Sequence, residues 1–129
     1  MSLSHSGSRA IRSDGFYQRT YRQAATGIAI TDWLGVFQEC NPACCALLGY
    51  TEEELRSVDF ASLVHLDDRE ANLAQIRRLQ AGEISSFDIE NRYIHKNGAP
   101  VWVHKLVSIL PGENGEPAHL IAMVTNTTA

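Results

Sequence analysis

Asn41-Pro42-Ala43-Cys44-Cys45-Ala46-Leu47-Leu48-Gly49-Tyr50-Thr51-Glu52-Glu53-Glu54-Leu55, NPACCALLGYTEEEL, reads as two short helices set almost end to end. Asn41 is a favourable N-cap, Pro42 suits the first helical position, and Gly49 can take the left-handed conformation that closes a helix. Thr51 and Glu54 then form a capping box, with Tyr50 and Leu55 placed to pack as a hydrophobic staple. Cys44, Leu47 and Leu48 share one face of the first helix. What flanks this helical block decides the fold.

Upstream, Gly27–Asp32 and Val36–Cys40 read as two strands joined by a turn at Asp32-Trp33-Leu34-Gly35. Downstream, Asp67 with Glu70 offers a second capping box opening a longer helix to about Ala81-Gly82, in which Leu73, Ile76 and Leu79 or Gln80 follow helical spacing. Three alternating stretches follow, Ile84–His95, Pro100–Leu110 and Ala118–Thr125, punctuated by Asn97-Gly98 and Asn114-Gly115 turns. Two hairpin-like groups around one helical block, without βαβ alternation, predict an α+β domain: a five-stranded antiparallel sheet with the helices on one face. Residues 13–25 read as an amphipathic helix outside that core, capped by Ser13 or Asp14, with Tyr17, Tyr21 and Ala24 on one stripe and Phe16 and Thr20 beside it. Residues 1–12, rich in Ser and Gly, read as a disordered tail or as residues added for expression, and 26–129 as the domain itself.

The 129 residues are 44% hydrophobic and 20% charged, as expected of one soluble globular domain. A net charge of −4 argues against a nucleic-acid or anionic-membrane surface, which needs clustered Lys and Arg. No apolar run approaches the roughly 20 residues that cross a bilayer, and the opening residues lack the apolar centre of a signal peptide, so a cytoplasmic location without membrane contact is expected.

Several motifs resemble those of the PAS family of sensory domains, in order, from about Thr26 to Thr128. Asp32-x-x-Gly35 followed by Asn41-Pro42-Ala43 resembles the family's first hairpin and helix start. Leu48-Gly49-Tyr50-Thr51-x-Glu53-Glu54-Leu55 resembles its "LGYs-eEL" segment, and Val64-His65-Leu66-Asp67-Asp68 its "HPDD" lead into the long helix. Glu90-x-Arg92-x-x-x-Lys96-Asn97-Gly98 with Val101-Trp102-Val103 resembles "E-x-R-x-x-x-K-D-G…vWv". Leu66 replaces the usual Pro, and Asn126-Thr127-Thr128 stands where most members have Asp-Ile-Thr, the junction to an output helix. Asn126 can still cap a following helix.

The resemblance implies a non-catalytic sensor, a fragment of a bacterial-type signalling protein. Its output domain in the same parent chain would be a histidine kinase or a cyclic-dinucleotide enzyme. It also implies a ligand space between sheet and helices. Phe37, Phe87, Ile89, Val103, Val107, Leu120, Ala122 and Val124 are assigned to the inner face, closed by Leu47, Leu48, Leu73 and Ile76. In that register Glu39, Asn91 and Lys105 are polar exceptions, which need partners from one another or from a small polar ligand. Lys105 interrupts a β-branched stripe and suggests an anionic ligand; the competing reading is that it snorkels outward. On the outer face Trp102, Leu106, Ile121 and Met123 make an apolar patch, which the stripe of Phe16, Tyr17 and Tyr21 is expected to cover, completing a homodimer.

Chemical alternatives are weaker. Cys40, Cys44 and Cys45 lack a second ligand pair for a structural metal, and Cys44 reads as a small buried hydrophobe. The segment Phe60–Val64 has no cysteine for a cysteinyl-flavin photocycle. Asp68–Ala81 has no His for haem ligation as in the family's oxygen sensors. A non-covalent flavin stays open. His65 reads as a capping residue, and Glu90 with Arg92 as an ion pair on one strand face. The rival functions are a ligand-free dimerisation module and a small enzyme, the latter requiring convergent acid–base or nucleophilic groups that the sequence does not display.

Overall fold

The computed structural model describes residues 15–128. In chain order it contains α1 (Gly15–Gln23), β1 (Gly27–Thr31), β2 (Phe37–Cys40), α2 (Pro42–Leu48) and α3 (Glu52–Leu55). Two 3-10 turns, Phe60–Ser62 and Leu66–Asp68, precede α4 (Arg69–Gln80), β3 (Ser86–Ile94), β4 (Pro100–Leu110) and β5 (His119–Asn126). All strands pair antiparallel in the order β2-β1-β5-β4-β3. The last strand therefore lies in the middle, joining the two hairpin groups through Gly27↔Val124 on one side and Val107↔Ala122 on the other. Among the described residues no helix is long and apolar enough to cross a membrane.

Local chemistry fixes the helical block. The Asn41 side chain accepts from Cys44 N and caps α2, and Gly49 ends it at φ 81°. A Cβ at Gly49 would sit 2.3 Å from the His95 ring, so the helix end and the β3–β4 hairpin meet only because no side chain intervenes. Thr51 and Glu54 form the reciprocal capping box. Before it, Asp32 Oδ1 accepts from Leu34 N and Val36 N, both at 2.9 Å, and closes the first turn.

Part of each sheet edge is covered, which shortens the run of exposed ladder groups. Phe37 N donates to Val58 O along β2; along β3, His65 N donates to Arg92 O and Ile94 N to Leu63 O. Beside that cover, Asp68 clamps β3: Arg92 N and Nε donate to Asp68 Oδ2 at 2.7 and 3.0 Å, and Arg92 Nη2 to Oδ1 at 2.9 Å. A second tie joins Lys96 Nζ to Glu54 Oε2 at 2.6 Å.

Several expectations are corrected. The long helix is not opened by an Asp67–Glu70 box: His65 Nδ1 accepts from Asp67 N to start the preceding 3-10 turn, and α4 has no side-chain cap because the Asp68 carboxylate is engaged with Arg92. That engagement also replaces the expected Glu90–Arg92 pair. The buried face of α4 carries Asn72, Ile76 and Leu79, rotating Leu73 to a half-buried flank. In β2 the register slips, Ile30 opposing Glu39 while Thr31 opposes Phe37, so Gln38 is the extra residue of a bulge. Phe37 and Cys40 are both buried as a result, and Glu39 leaves the inner row. Helix α1 docks at α2, where Asn41 Nδ2 donates to Tyr21 O at 3.0 Å. It does not cover the outer face, on which Trp102, Leu106 and Met123 stay 42%, 41% and 44% exposed. The side chains of Phe16 and Tyr17, the caps Ser13 and Asp14, and the tail 1–12 lie outside the described residues.

Candidate functional site

Between sheet and helices lies an apolar cavity whose free space, counted for the centre of a water-sized sphere, is about 30 Å³. That admits about two waters. The helical side contributes Cys44 and Leu48 from α2, Ile76 from α4 and Phe60 from the first 3-10 turn; the sheet contributes inward positions of all five strands.

Of the residues assigned to this space from sequence, Phe37, Leu48, Ile76, Lys105, Val107, Leu120, Ala122 and Val124 line it. Val103 and Phe87 are buried in the adjoining core, while Leu47 and Ile89 are partly buried and pack against that core. Leu73 and Asn91 are not in the lining. Glu39 instead faces a separate polar depression with Tyr21, Arg22, Gln38, Cys40, Glu52 and Arg56. Ala29, Thr31, Cys44, Phe60 and Tyr93 were missed. Strand alternation puts Tyr93 on the same face as Phe87 and Ile89, so that signal was present; Phe60 sits in a loop where no periodicity points inward.

Lys105 turns inward and is 2% exposed. Its Nζ donates to the Tyr93 hydroxyl at 3.0 Å and stands 4.9 Å from the ring centroids of Phe60 and Tyr93. Among the described residues no carboxylate lines the cavity. Burial pushes the Lys105 ammonium down to about 7, and burial likewise holds the Tyr93 phenol protonated. At neutral pH the cavity thus contains an amine poised between its two protonation states, and a phenol that accepts its hydrogen bond.

Two asparagines stand near this end of the cavity. Asn91 is 0% exposed, and neither its Nδ2 nor its Oδ1 has a hydrogen-bonding partner among the described residues. It shares a strand face with Tyr93 two residues away and opposes Val103, which puts it diagonal to Lys105, at about 7–8 Å for such a pair. Asn72, 1% exposed and one turn before Ile76 on α4, donates from Nδ2 to Asp68 O at 3.2 Å but leaves Oδ1 unpartnered.

Two of the cysteines are disfavoured as thiolates. A hydrogen bond with the Cys44 thiol, then burial, pushes the Cys40 thiol up, and burial raises that of Cys45. Among the described residues no group of three His, Cys, Asp or Glu side chains could hold a metal ion.

The cavity is wired to the end of the chain. Leu120, Ala122 and Val124 of β5 line it, and the same strand runs into Asn126-Thr127-Thr128. There Thr127 N donates to Trp102 O, Trp102 N to Thr128 Oγ1, and Thr128 N to Asn126 Oδ1, each at 2.8 Å.

A sequence profile of the PAS fold family matches residues 37–124. The chain is 33% identical over 112 residues to the probable diguanylate cyclase DgcE of Escherichia coli, covering 87% of this chain and 10% of that protein. It is 26% identical over 116 residues to the sensor histidine kinase TmoS of Ectopseudomonas mendocina, covering 90% of this chain and 12% of that protein. The chain spans only about a tenth of the length of these curated relatives. Among solved structures, the PAS domain of a protein from Colwellia psychrerythraea superposes with a TM-score of 0.77 at 22% identity, covering 89% of this chain and 98% of that one.

Proposed function

Because the chain belongs to the PAS fold family, we propose that it is a non-catalytic sensory module in which the state of the inner cavity is passed along β5 to whatever follows Thr128. One observation carries this reading: β5 supplies three cavity-lining side chains and continues, without an intervening loop, into a junction tied to Trp102 by three hydrogen bonds. A ligand that alters the twist of β5 therefore changes the geometry of that tie, and it shifts the balance of two sheet arrangements only by its differential affinity for them. The proposed ligand is small, since the free space is far below the size of a flavin. The proposed output is a diguanylate cyclase or histidine kinase domain of a cytoplasmic parent chain, in keeping with the two relatives. The exposed patch of Trp102, Leu106 and Met123, with the partly buried Ile121, supports pairing of two such modules face to face.

The small cavity also favours a second reading, a ligand-free module whose sheet responds to a partner. Both readings require the inside of the domain to communicate with the junction. Ile76→Phe fills the cavity from the helical side, far from Thr127 in sequence. It is expected to move the amide resonances of Asn126, Thr127 and Thr128 and to alter exchange of the Thr127 amide. Junction resonances that stay in place while those of Val107 and Ala122 move would remove the transmission mechanism.

A further inference from the structure

The chain has two lysines, Lys96 and Lys105, and the fold places them in opposite chemical conditions. The Lys96 ammonium is exposed, meets Glu54 Oε2 at 2.6 Å, and is held above its usual range by that hydrogen bond. Its lone pair stays bound to a proton, so it is a poor nucleophile. Lys105 is the reverse. It is 2% exposed, its Nζ donates to the Tyr93 hydroxyl at 3.0 Å, and it lines the cavity among apolar side chains. Among the described residues no carboxylate shares that space, and burial pushes the ammonium down to about 7. A lysine that loses its proton to an apolar site is the form of this side chain that attacks carbonyl carbon.

The cavity sets the size of the carbonyl. Space for about two waters accommodates the one carbon and one oxygen of formaldehyde, and a branched aldehyde exceeds it. We infer that the Lys105 amine is a covalent site for a one-carbon aldehyde, formaldehyde, held as a neutral imine in the space lined by Ile76, Val107 and Ala122. This names a ligand for the sensory reading and rests on that reading only in taking the adduct as a signal. The Nζ lone pair forms the N–C bond while the carbonyl π pair moves to oxygen, and transfer of one N–H proton to that oxygen gives a neutral carbinolamine. The nitrogen lone pair then makes the second C–N bond as the C–O bond breaks, and the hydroxyl leaves with the remaining N–H proton as water. Amine and aldehyde thus give imine and water, with nothing oxidised or reduced. Neither the reactants nor the products are charged, so the step buries no charge in the apolar lining. The imine nitrogen has a lone pair and no hydrogen, so the Tyr93 hydroxyl, an acceptor for the amine, turns to donate to it. Tyr93 can do so because burial keeps its phenol protonated.

The titratable groups lining the cavity are Cys44 from α2, Tyr93 from β3 and Lys105 from β4; among the described residues α4, β1, β2, β5 and the Phe60 turn present none. Attack needs the neutral amine, so imine formation speeds up as pH rises and levels off once Lys105 has lost its proton.

The test adds an equimolar amount of carbon-13 formaldehyde to the chain and follows the imine carbon by NMR. One imine resonance is expected, with cross-relaxation to the methyl groups of Val107 and Ala122, and with occupancy at pH 7 about tenfold or more above any adduct on Lys96. Lys105→Met is expected to lose the resonance while still melting cooperatively, and Lys96→Met to keep it. The rate of formation is expected to rise about tenfold between about pH 6 and 8 and then level, whereas an exposed lysine goes on gaining about tenfold per pH unit. Isobutyraldehyde is expected to leave the Val107 and Ala122 resonances in place. No imine resonance at pH 8, its persistence in Lys105→Met, a rate without a plateau, or equal occupancy by isobutyraldehyde overturns the assignment. An imine that forms and leaves Asn126, Thr127 and Thr128 unmoved defeats the sensory reading and keeps the covalent site. A junction that moves in Ile76→Phe, in a chain that does not react with formaldehyde, does the reverse.

Discussion

Asn41 and Asn91 are the same side chain at the same burial, both 0% exposed, in opposite conditions. Asn41 sits where β2 turns into α2 and uses everything it has. Its Oδ1 accepts from Ile28 N at 2.8 Å and Cys44 N at 3.0 Å, and its Nδ2 donates to Tyr21 O and Thr26 O, each at 3.0 Å. Asn91, on the inner face of β3, uses nothing. The cations repeat the contrast: Arg92 meets Asp68 through two guanidinium bonds at the rim, whereas Lys105 lies inside with a phenol. The cap and rim regions are complete as folded, and the polar end of the cavity is not. A polar group that is fully satisfied by its own chain explains stability; one left open asks for a ligand.

That contrast breaks or sharpens under substitution. The largest effect is expected from Asn41→Ala, which takes the partner from two amides and two carbonyls, the bond to Cys44 N buried and the other three part-buried, and should cost about 3–5 kcal/mol in urea unfolding. A loss under about 1 kcal/mol would mean the cap region relaxes and the comparison fails. Next in size, Lys105→Met should stabilise the chain at pH 7 by about 1–4 kcal/mol, since an amine buried without a counter-charge is replaced by an apolar chain of similar length.

The pH profile sharpens the same point. The folded state releases the Lys105 proton near 7, while the unfolded chain holds it to about 10.5. The unfolded state thus binds more protons between those values, and stability rises with pH. The rise should be seen from about pH 7 to 9; above that the raised Cys40 and Tyr93 groups reverse the slope, because the unfolded chain then ionises first. Lys105→Met should flatten the lower part of this curve in urea titrations at a series of pH values. An unchanged slope would show that Lys105 is not its source.

A smaller loss is expected from Asp68→Asn. Hydrogen bonds from the Arg92 side chain hold the Asp68 carboxyl below its usual range, so its contribution is present above the unfolded value near 3.8 and fades as pH falls through the depressed folded one. The variant should melt lower than the parent at pH 6, with the gap closing in strong acid. Smallest of all, Asn91→Leu should leave stability within about 1 kcal/mol of the parent or raise it, because it removes polar atoms that make no bond. A loss comparable to Asn41→Ala would show that Asn91 is bonded in solution by the protein itself.

Sequence reading succeeded where the information is local. Asn41-Pro42 and Thr51-x-x-Glu54 specify their helices within four residues, and the recurrent motifs are tied to one another in space, Glu54 to Lys96 and Asp68 to Arg92. It failed where a distant partner competes. The Asp67–Glu70 box gave way to the His65-capped 3-10 turn, and the Asp68 carboxylate just before α4 is held by Arg92, 24 residues beyond it. A single extra residue at Gln38 turned Glu39 out of the inner row, and bulges leave no mark in alternation. Parity sorted the residues of the last three strands into two apolar faces, and the resemblance to PAS domains chose which of them, the one carrying Lys105, is inner. That its ammonium stays inside was not legible, because the decision rests on Phe60 and Tyr93 arriving from elsewhere in the fold.

The central place of β5 has a mechanical consequence. Gly27 begins β1 and pairs with Val124 near the end of β5, so the chain enters and leaves the sheet at the same end of one antiparallel pair. Tension applied across the two ends loads the β1–β5 ladder one rung at a time, since its bonds lie perpendicular to the strands, rather than shearing all of them together. Stretched between flanking segments in an optical trap, the domain should part first at Gly27–Val124 and yield at low force. The rungs that give way earliest adjoin the junction through which a signal would leave.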